Sequence, residues 1–220
     1  MKTSAEKAYT IILNAVKENI LPRNTFLSQR KLAEMAGTSI ISVREALKRL
    51  EQEGVFEAIP KWGVRIPEAS KERLIETYQV REGIETMVAY ILSQHVNAED
   101  KKHIYRLAEE CDNIKVEGRE SIIHFSEKHQ ELHLYMAGCT GNTQLREQLE
   151  RIGLRIIIYQ SAKFTWFQQV ENWEYWHRGL VDKIFSGDTS LAQQAMHEHI
   201  QHGLHYDIRY QTAIQKSENL

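Results

Sequence analysis

Cysteine is scarce in this chain: two in 220 residues, Cys111 and Cys139, far apart and outside any CxxC pattern. That excludes a disulfide framework and fits two buried, reduced thiols of a cytosolic protein. Proline is also rare, with Pro22, Pro60 and Pro67 the only three. No apolar window approaches the length that spans a bilayer, and the first residues lack the apolar stretch of a signal peptide. A soluble, cytoplasmic protein without a membrane partner is expected. Internal repeats, low-complexity stretches and long runs of one charge are missing too.

What is present is ordinary in bulk and uneven in distribution. The charged fraction is 26%, the hydrophobic fraction 42% and the net charge −2. Residues 1–67 carry 11 Lys and Arg against 7 Asp and Glu, while the remainder carries 17 against 23. A basic front joined to an acidic back suits polyanion binding by one part only.

The front third reads as three helices and a hairpin. Ala8, Ile11, Ile12, Ala15 and Val16 form a helical stripe. Ser28 is a candidate N-cap for a short helix carrying Leu32, Ala33 and Ala36, which stops at Gly37. Ser39 opens a third helix with Val43, Leu47 and Leu50 inward and Arg44, Lys48 and Arg49 outward. Two β-like runs, 55–59 and 64–66, flank Pro60-Lys61-Trp62-Gly63 as a hairpin wing. This order predicts a winged helix-turn-helix over residues 1–67, its third helix entering the major groove. A small bundle with a solvated basic face is the alternative.

The stretch Leu27-Ser28-Gln29-Arg30-Lys31-Leu32-Ala33, then Ser39 to Leu50 and Glu53-Gly54, resembles the DNA-binding domain of the GntR family of bacterial transcriptional regulators. The resemblance implies that Arg30 and Arg44 hold DNA, that Ser39 and Ser42 contact it, and that Gly63 is the wing glycine. Lys48 belongs to the same outward face. One position departs. The family usually places a polar residue after the opening serine, whereas Ile40 stands here. Isoleucine cannot make arginine's bidentate contact with guanine and can only meet a thymine methyl or a sugar.

After Pro67 the pattern is uniformly helical, with helices expected near 70–95, 98–116, 119–138, 142–163, 171–186 and 188–212. The fold class is therefore mostly α: a winged helix-turn-helix followed, over residues 68–220, by a bundle of six or seven helices that dimerises and can enclose a ligand.

This back region is similar to the ligand-binding FCD domain of the FadR branch of the same family, in its metal-binding subgroup. The likeness rests on Arg81 with Glu85, Phe125 with His129 and His133, Gly141-Asn142, Glu174 with His177, and Gly187-Asp188…Met196…His199-Ile200. It implies one metal site built from His133, His177 and His199, with His129 where the family normally has aspartate. His129 and His133 are four apart, so both project from one helix face with Cβ atoms about 6 Å apart. Replacing aspartate by imidazole removes a negative charge and favours zinc or nickel over manganese or magnesium. Three rings suffice if His129 swings aside.

The matching arginine of the family holds an effector carboxylate, a role carried here to Arg81, beside the alternative of a salt bridge to Glu85. Asn142 either donates to that ligand or caps the helix it begins. Trp166, Trp173, Tyr175 and Trp176 fit packing better than an aromatic cage.

The function expected is a transcriptional regulator, a repressor by resemblance, that binds a palindromic operator as a homodimer and senses a small organic acid at the metal. A metal-dependent hydrolase fused to a DNA-binding domain is the alternative, weakened because no general base stands beside the histidines.

Overall fold

The computed structural model describes residues 2–67, 70–115, 119–161 and 176–217. The chain divides into two compact units, Met1–Ser70 and Lys71–Leu220.

In the first unit, α1 (Ser4–Lys17) starts from a capping box in which Thr3 and Glu6 satisfy each other's backbone N–H. Helix α2 (Gln29–Ala36) ends where Gly37 turns left-handed at φ 58°. Helix α3 (Ile40–Gln52) is capped by Ser39, whose hydroxyl accepts from the Ser42 N–H at 3.2 Å. Strands β1 (Glu57–Ile59) and β2 (Gly63–Arg65) pair antiparallel, with Glu57 opposite Arg65 and Ile59 opposite Gly63. Leu27 donates its N–H to the Val64 carbonyl at 2.8 Å, tying the chain before α2 to the wing. Ile12, Val16, Leu32, Val43, Leu47, Leu50 and Phe56 fill the core. The strands are shorter than the apolar runs because Val55 and Phe56 are buried before pairing begins.

The described part of the second unit contains six helices: α4 (Lys71–Gln94), α5 (Ala98–Asp112), α6 (Arg119–Cys139), α7 (Thr143–Ser161), α8 (Trp176–Ile184) and α9 (Thr189–Ser217). Side-chain caps start several of them: Asn97 for α5, Asn142 for α7 and Asp188 for α9. Gly141 and Gly187 take positive φ at helix ends, while Gly138 lies within the last turn of α6 rather than at a break.

The buried stripe of α4 runs Leu74, Tyr78, Arg81, Glu85, Val88, Ala89 and Leu92. The spacing is that of an ordinary core-facing helix, yet its centre holds two charges. Buried ions need partners. Those partners lead to the histidines.

Candidate metal centre

Helix α6 turns His129 and His133 to one side, and their Nε2 atoms stand 3.0 Å apart. Helix α9 brings His199 against both, its Nε2 3.2 Å from each. His133 and His199 are almost fully buried. Among the described residues this trio is the group of His, Cys, Asp and Glu side chains able to surround one ion.

Protons cannot satisfy this triangle. His133 donates Nδ1–H to Glu85, so its Nε2 carries a lone pair. The Nδ1 of His199 is buried without a partner. Burial holds the His129 and His199 rings well below their ordinary pKa, with the other rings adding to the effect, so they are neutral at pH 7. His133 is also lowered, burial outweighing the pull of Glu85. Three neutral ring nitrogens 3.0–3.2 Å apart cannot be hydrogen-bonded in all three pairs, since each is either a donor or an acceptor and at least one pair is then alike; a shared cation would satisfy all three lone pairs at once. Ligands about 2.1 Å from one ion lie roughly 3.0 Å apart at right angles and about 3.4 Å apart in a tetrahedron. The observed spacing falls in that interval, and the residues present fit a divalent transition metal.

His177 is not one of the three side chains whose ligand atoms converge, although its ring lies as close as theirs do to one another, with its centroid 5.0 Å from that of His129 and 5.3 Å from that of His199. Its orientation is set by Asp112 at the end of α5. Its carboxylate accepts Nδ1–H of His177 at 2.7 Å and also the backbone N–H groups of His177 and Arg178 at 3.0 and 2.9 Å. The ring is thereby fixed through Nδ1, while its Nε2 is buried without a hydrogen-bond partner. A carboxylate on the far nitrogen is the arrangement that orients a ligating imidazole.

Behind the trio lies a polar chain. Glu85 takes His133 on one oxygen and the Arg81 Nε–H on the other. Burial pushes the Glu85 carboxyl up, yet Arg81 and His133 outweigh it and hold it at about 2. The Arg81 guanidinium sits 5.6 Å from the centre of the Tyr78 ring, and Tyr78 donates its hydroxyl to buried Asp207 at 2.8 Å. Arg81 thus takes up the salt bridge to Glu85 set out above.

Asn142 is exposed, and its oxygen accepts from the N–H groups of Gln144 and Leu145, so it caps α7. Trp176, assigned to packing from the sequence, lies directly on the cluster: its ring is 4.4 Å from His199 and 5.0 Å from His177. Phe125 stacks on His129 at 5.6 Å. Glu174, Trp166, Trp173 and Tyr175 lie outside the described residues. A separate cleft of about 680 Å³ on the other side of α6 is lined by Asp100, Glu131, Tyr135 and Arg146 among others, and by no imidazole.

In the first unit, Arg30, Ser39, Ile40, Arg44 and Lys48 are exposed and Ser42 half-buried. Arg30 lies 3.6 Å from Glu34 in an exposed pair, too solvated to hold it firmly. Ser39 and Ser42 share a hydrogen bond of 3.0 Å between their hydroxyls. Gly63 adopts φ 104°.

Comparison with known proteins agrees with this division. Residues 4–66 match the bacterial regulatory proteins of the gntR family, and residues 76–202 match the FCD domain. The chain is 23% identical over 203 residues to the "Probable D-xylose utilization operon transcriptional repressor" of Paenarthrobacter nicotinovorans, covering 90% of this chain and 86% of that one. Among solved structures, E. coli McbR/YncC superposes with a TM-score of 0.76 at 19% identity, covering 95% and 99% of the two chains. A GntR regulator from Rhodococcus gives 0.71 at 14%, covering 93% and 97%. No helix among the described residues is long and apolar enough to cross a membrane.

Proposed function

Because the chain belongs to the GntR family of bacterial transcriptional regulators, with an FCD domain behind its DNA-binding module, we propose that it is a metal-dependent sensor of small organic acids that controls its own hold on DNA. The families and relatives it matches are transcriptional regulators, not enzymes, which leaves the hydrolase alternative without support. The observation that carries the proposal is the triangle of Nε2 atoms from His129, His133 and His199.

A bound zinc or nickel ion would supply a Lewis-acidic centre with positions open to an acidic ligand. His129, His133 and His199 would hold it, and His177 would join by a small inward movement that keeps its bond to Asp112. Glu85 fixes the His133 tautomer that leaves Nε2 free. Arg81, already paired with Glu85, would give a ligand carboxylate a charged neighbour. Trp176 would wall the side of His199 and His177. Asn142 acts as a helix cap in this scheme.

Operator contact would come from Arg30, Ser39, Ile40, Ser42, Arg44 and Lys48, with Gly63 shaping the wing, in a homodimer on a palindromic site. The acid must bind the DNA-free and DNA-bound states with different affinity. Repression relieved by the acid, as in a FadR-type regulator, is the direction proposed.

Elemental analysis of the purified chain tests the centre, with His133→Ala combined with His199→Ala as the perturbation. One ion per chain is expected before substitution and none after. Stoichiometric metal in the doubly substituted protein sinks the proposal. The acid is tested on the metal-loaded protein bound to genomic fragments that it selects itself. A panel of di- and tricarboxylates should release DNA, and chelator should abolish that response.

A further inference from the structure

The first turn of α3 carries two isoleucines that the fold leaves unused. Ile40 is 43% exposed and Ile41 70%. Helix α3 buries Val43, Ala46, Leu47 and Leu50. At about 3.6 residues per turn, Ile41 falls opposite that buried stripe, in line with exposed Lys48. Ile40 lies one turn before exposed Arg44. A single exposed aliphatic side chain is ordinary. Two in succession at a helix start are not, because β-branched residues are mediocre helix formers and a first turn is better served by acidic side chains.

The polar side chains of that turn are engaged with each other. Ser39 accepts the Ser42 N–H at 3.2 Å, and the two hydroxyls share a bond of 3.0 Å. The most exposed surface of the turn is therefore aliphatic. Its surroundings suit a polyanion: the first turn holds no acidic residue, and Arg44, Lys48 and Arg49 outnumber Glu45 along the turns that follow.

We propose that Ile40 and Ile41 read the 5-methyl groups of thymine in the major groove, and that they accept 5-methylcytosine in its place. This reading rests on the operator contact proposed above, extends it to Ile41, and names the chemical group recognised. Thymine presents a methyl group there beside its O4 acceptor. An aliphatic side chain covers the methyl and offers no hydrogen bond to the neighbouring atom. It distinguishes bases by the methyl and is blind to the donor or acceptor next to it. 5-Methylcytosine carries a methyl on the same ring carbon with an amino group where thymine has O4, so isoleucine meets the same surface on both.

The test uses the full chain on a fragment it selects from genomic DNA, with footprinting to mark the protected stretch and fluorescence anisotropy to follow binding. Each protected thymine is replaced in turn by deoxyuridine, which pairs alike and lacks only the methyl. At the positions facing α3, affinity should fall about fourfold per methyl, the value of burying one carbon unit. With cytosine at those positions, methylation at C5 should raise affinity by a similar factor. Ile40→Ala combined with Ile41→Ala should weaken binding to the thymine fragment and abolish its preference over the uracil one. The slope of log affinity against log salt should stay unchanged in that variant, whereas Arg44→Ala should reduce it by about one. The two base series use the unsubstituted chain and hold even if the variant is unstable. Indifference to every methyl, or a uracil penalty that persists in the variant, overturns the inference. Undiminished affinity of the variant also overturns it and leaves the isoleucines to a protein partner. Failure of the unsubstituted chain to select any fragment sinks the DNA-binding role itself, and is seen before any base is changed.

Discussion

Replacing Glu85 by glutamine keeps the shape of a fully buried side chain and removes its charge. The present carboxylate accepts from Arg81 with one oxygen and from His133 with the other. Glutamine offers one oxygen and one NH2 group, so one of those donors must face another donor. If the oxygen stays with Arg81, His133 has to move its proton from Nδ1 to Nε2, the atom aimed at the other rings. If it turns to His133, the amide NH2 faces the Arg81 donor, and in either orientation the buried guanidinium loses its main counter-charge. The carboxyl is held at about 2 despite burial, a depression worth about 3 kcal/mol to the folded state. At neutral pH, above the ordinary value, that whole contribution is present. Breaking a buried ion pair costs a comparable 3–5 kcal/mol or so. Loss of the group that orients a ligand weakens metal binding by about 10–100-fold. Two measurements follow: urea unfolding of the metal-free chain, and zinc titration against a coloured chelator. Glu82→Gln is the control, since Glu82 meets His197 and Gln201 nearer the surface. Wild-type stability together with wild-type zinc affinity in Glu85→Gln would refute the role given to the buried pair.

Two further outcomes are expected. Nickel should quench the intrinsic fluorescence of the protein, and Trp176→Phe should remove the larger part of that quenching, because the indole lies 4.4 Å from His199 and 5.0 Å from His177; undiminished quenching would move the ion elsewhere. Gly63→Ala should destabilise the first unit by about 1–3 kcal/mol in urea unfolding, more than Gly37→Ala at about 1 kcal/mol. Both positions have positive φ, but only at Gly63 would the new Cβ meet a backbone atom, the Leu27 oxygen at 3.2 Å.

Helix order and extent are legible from apolar periodicity and caps, and the spacing of His129 and His133 alone puts both rings on one face. The convergence of His199 on them was implied by family resemblance, not by local pattern. Asp112 was not legible. It sits 65 positions from His177 and acts by packing α5 against α8, which leaves no trace in either segment. Trp176 fits packing on the sequence alone because an aromatic side chain in the first turn of a helix gives no sign of its neighbours. Arg81 and Glu85 show the opposite case: their spacing of four predicted the salt bridge, while only the fold reveals that Glu85 also holds His133.

Asp112 closes the start of α8 with a side chain borrowed from another helix, taking two amides and a ring at once. A clamp of three bonds on one carboxylate resists gradual slippage, because each bond fixes the geometry of the others. A cation that recruited the free Nε2 of His177 would therefore pull on a ring whose opposite nitrogen and backbone amide share one anchor, so that strain at the ring would reach the first turn of α8 directly.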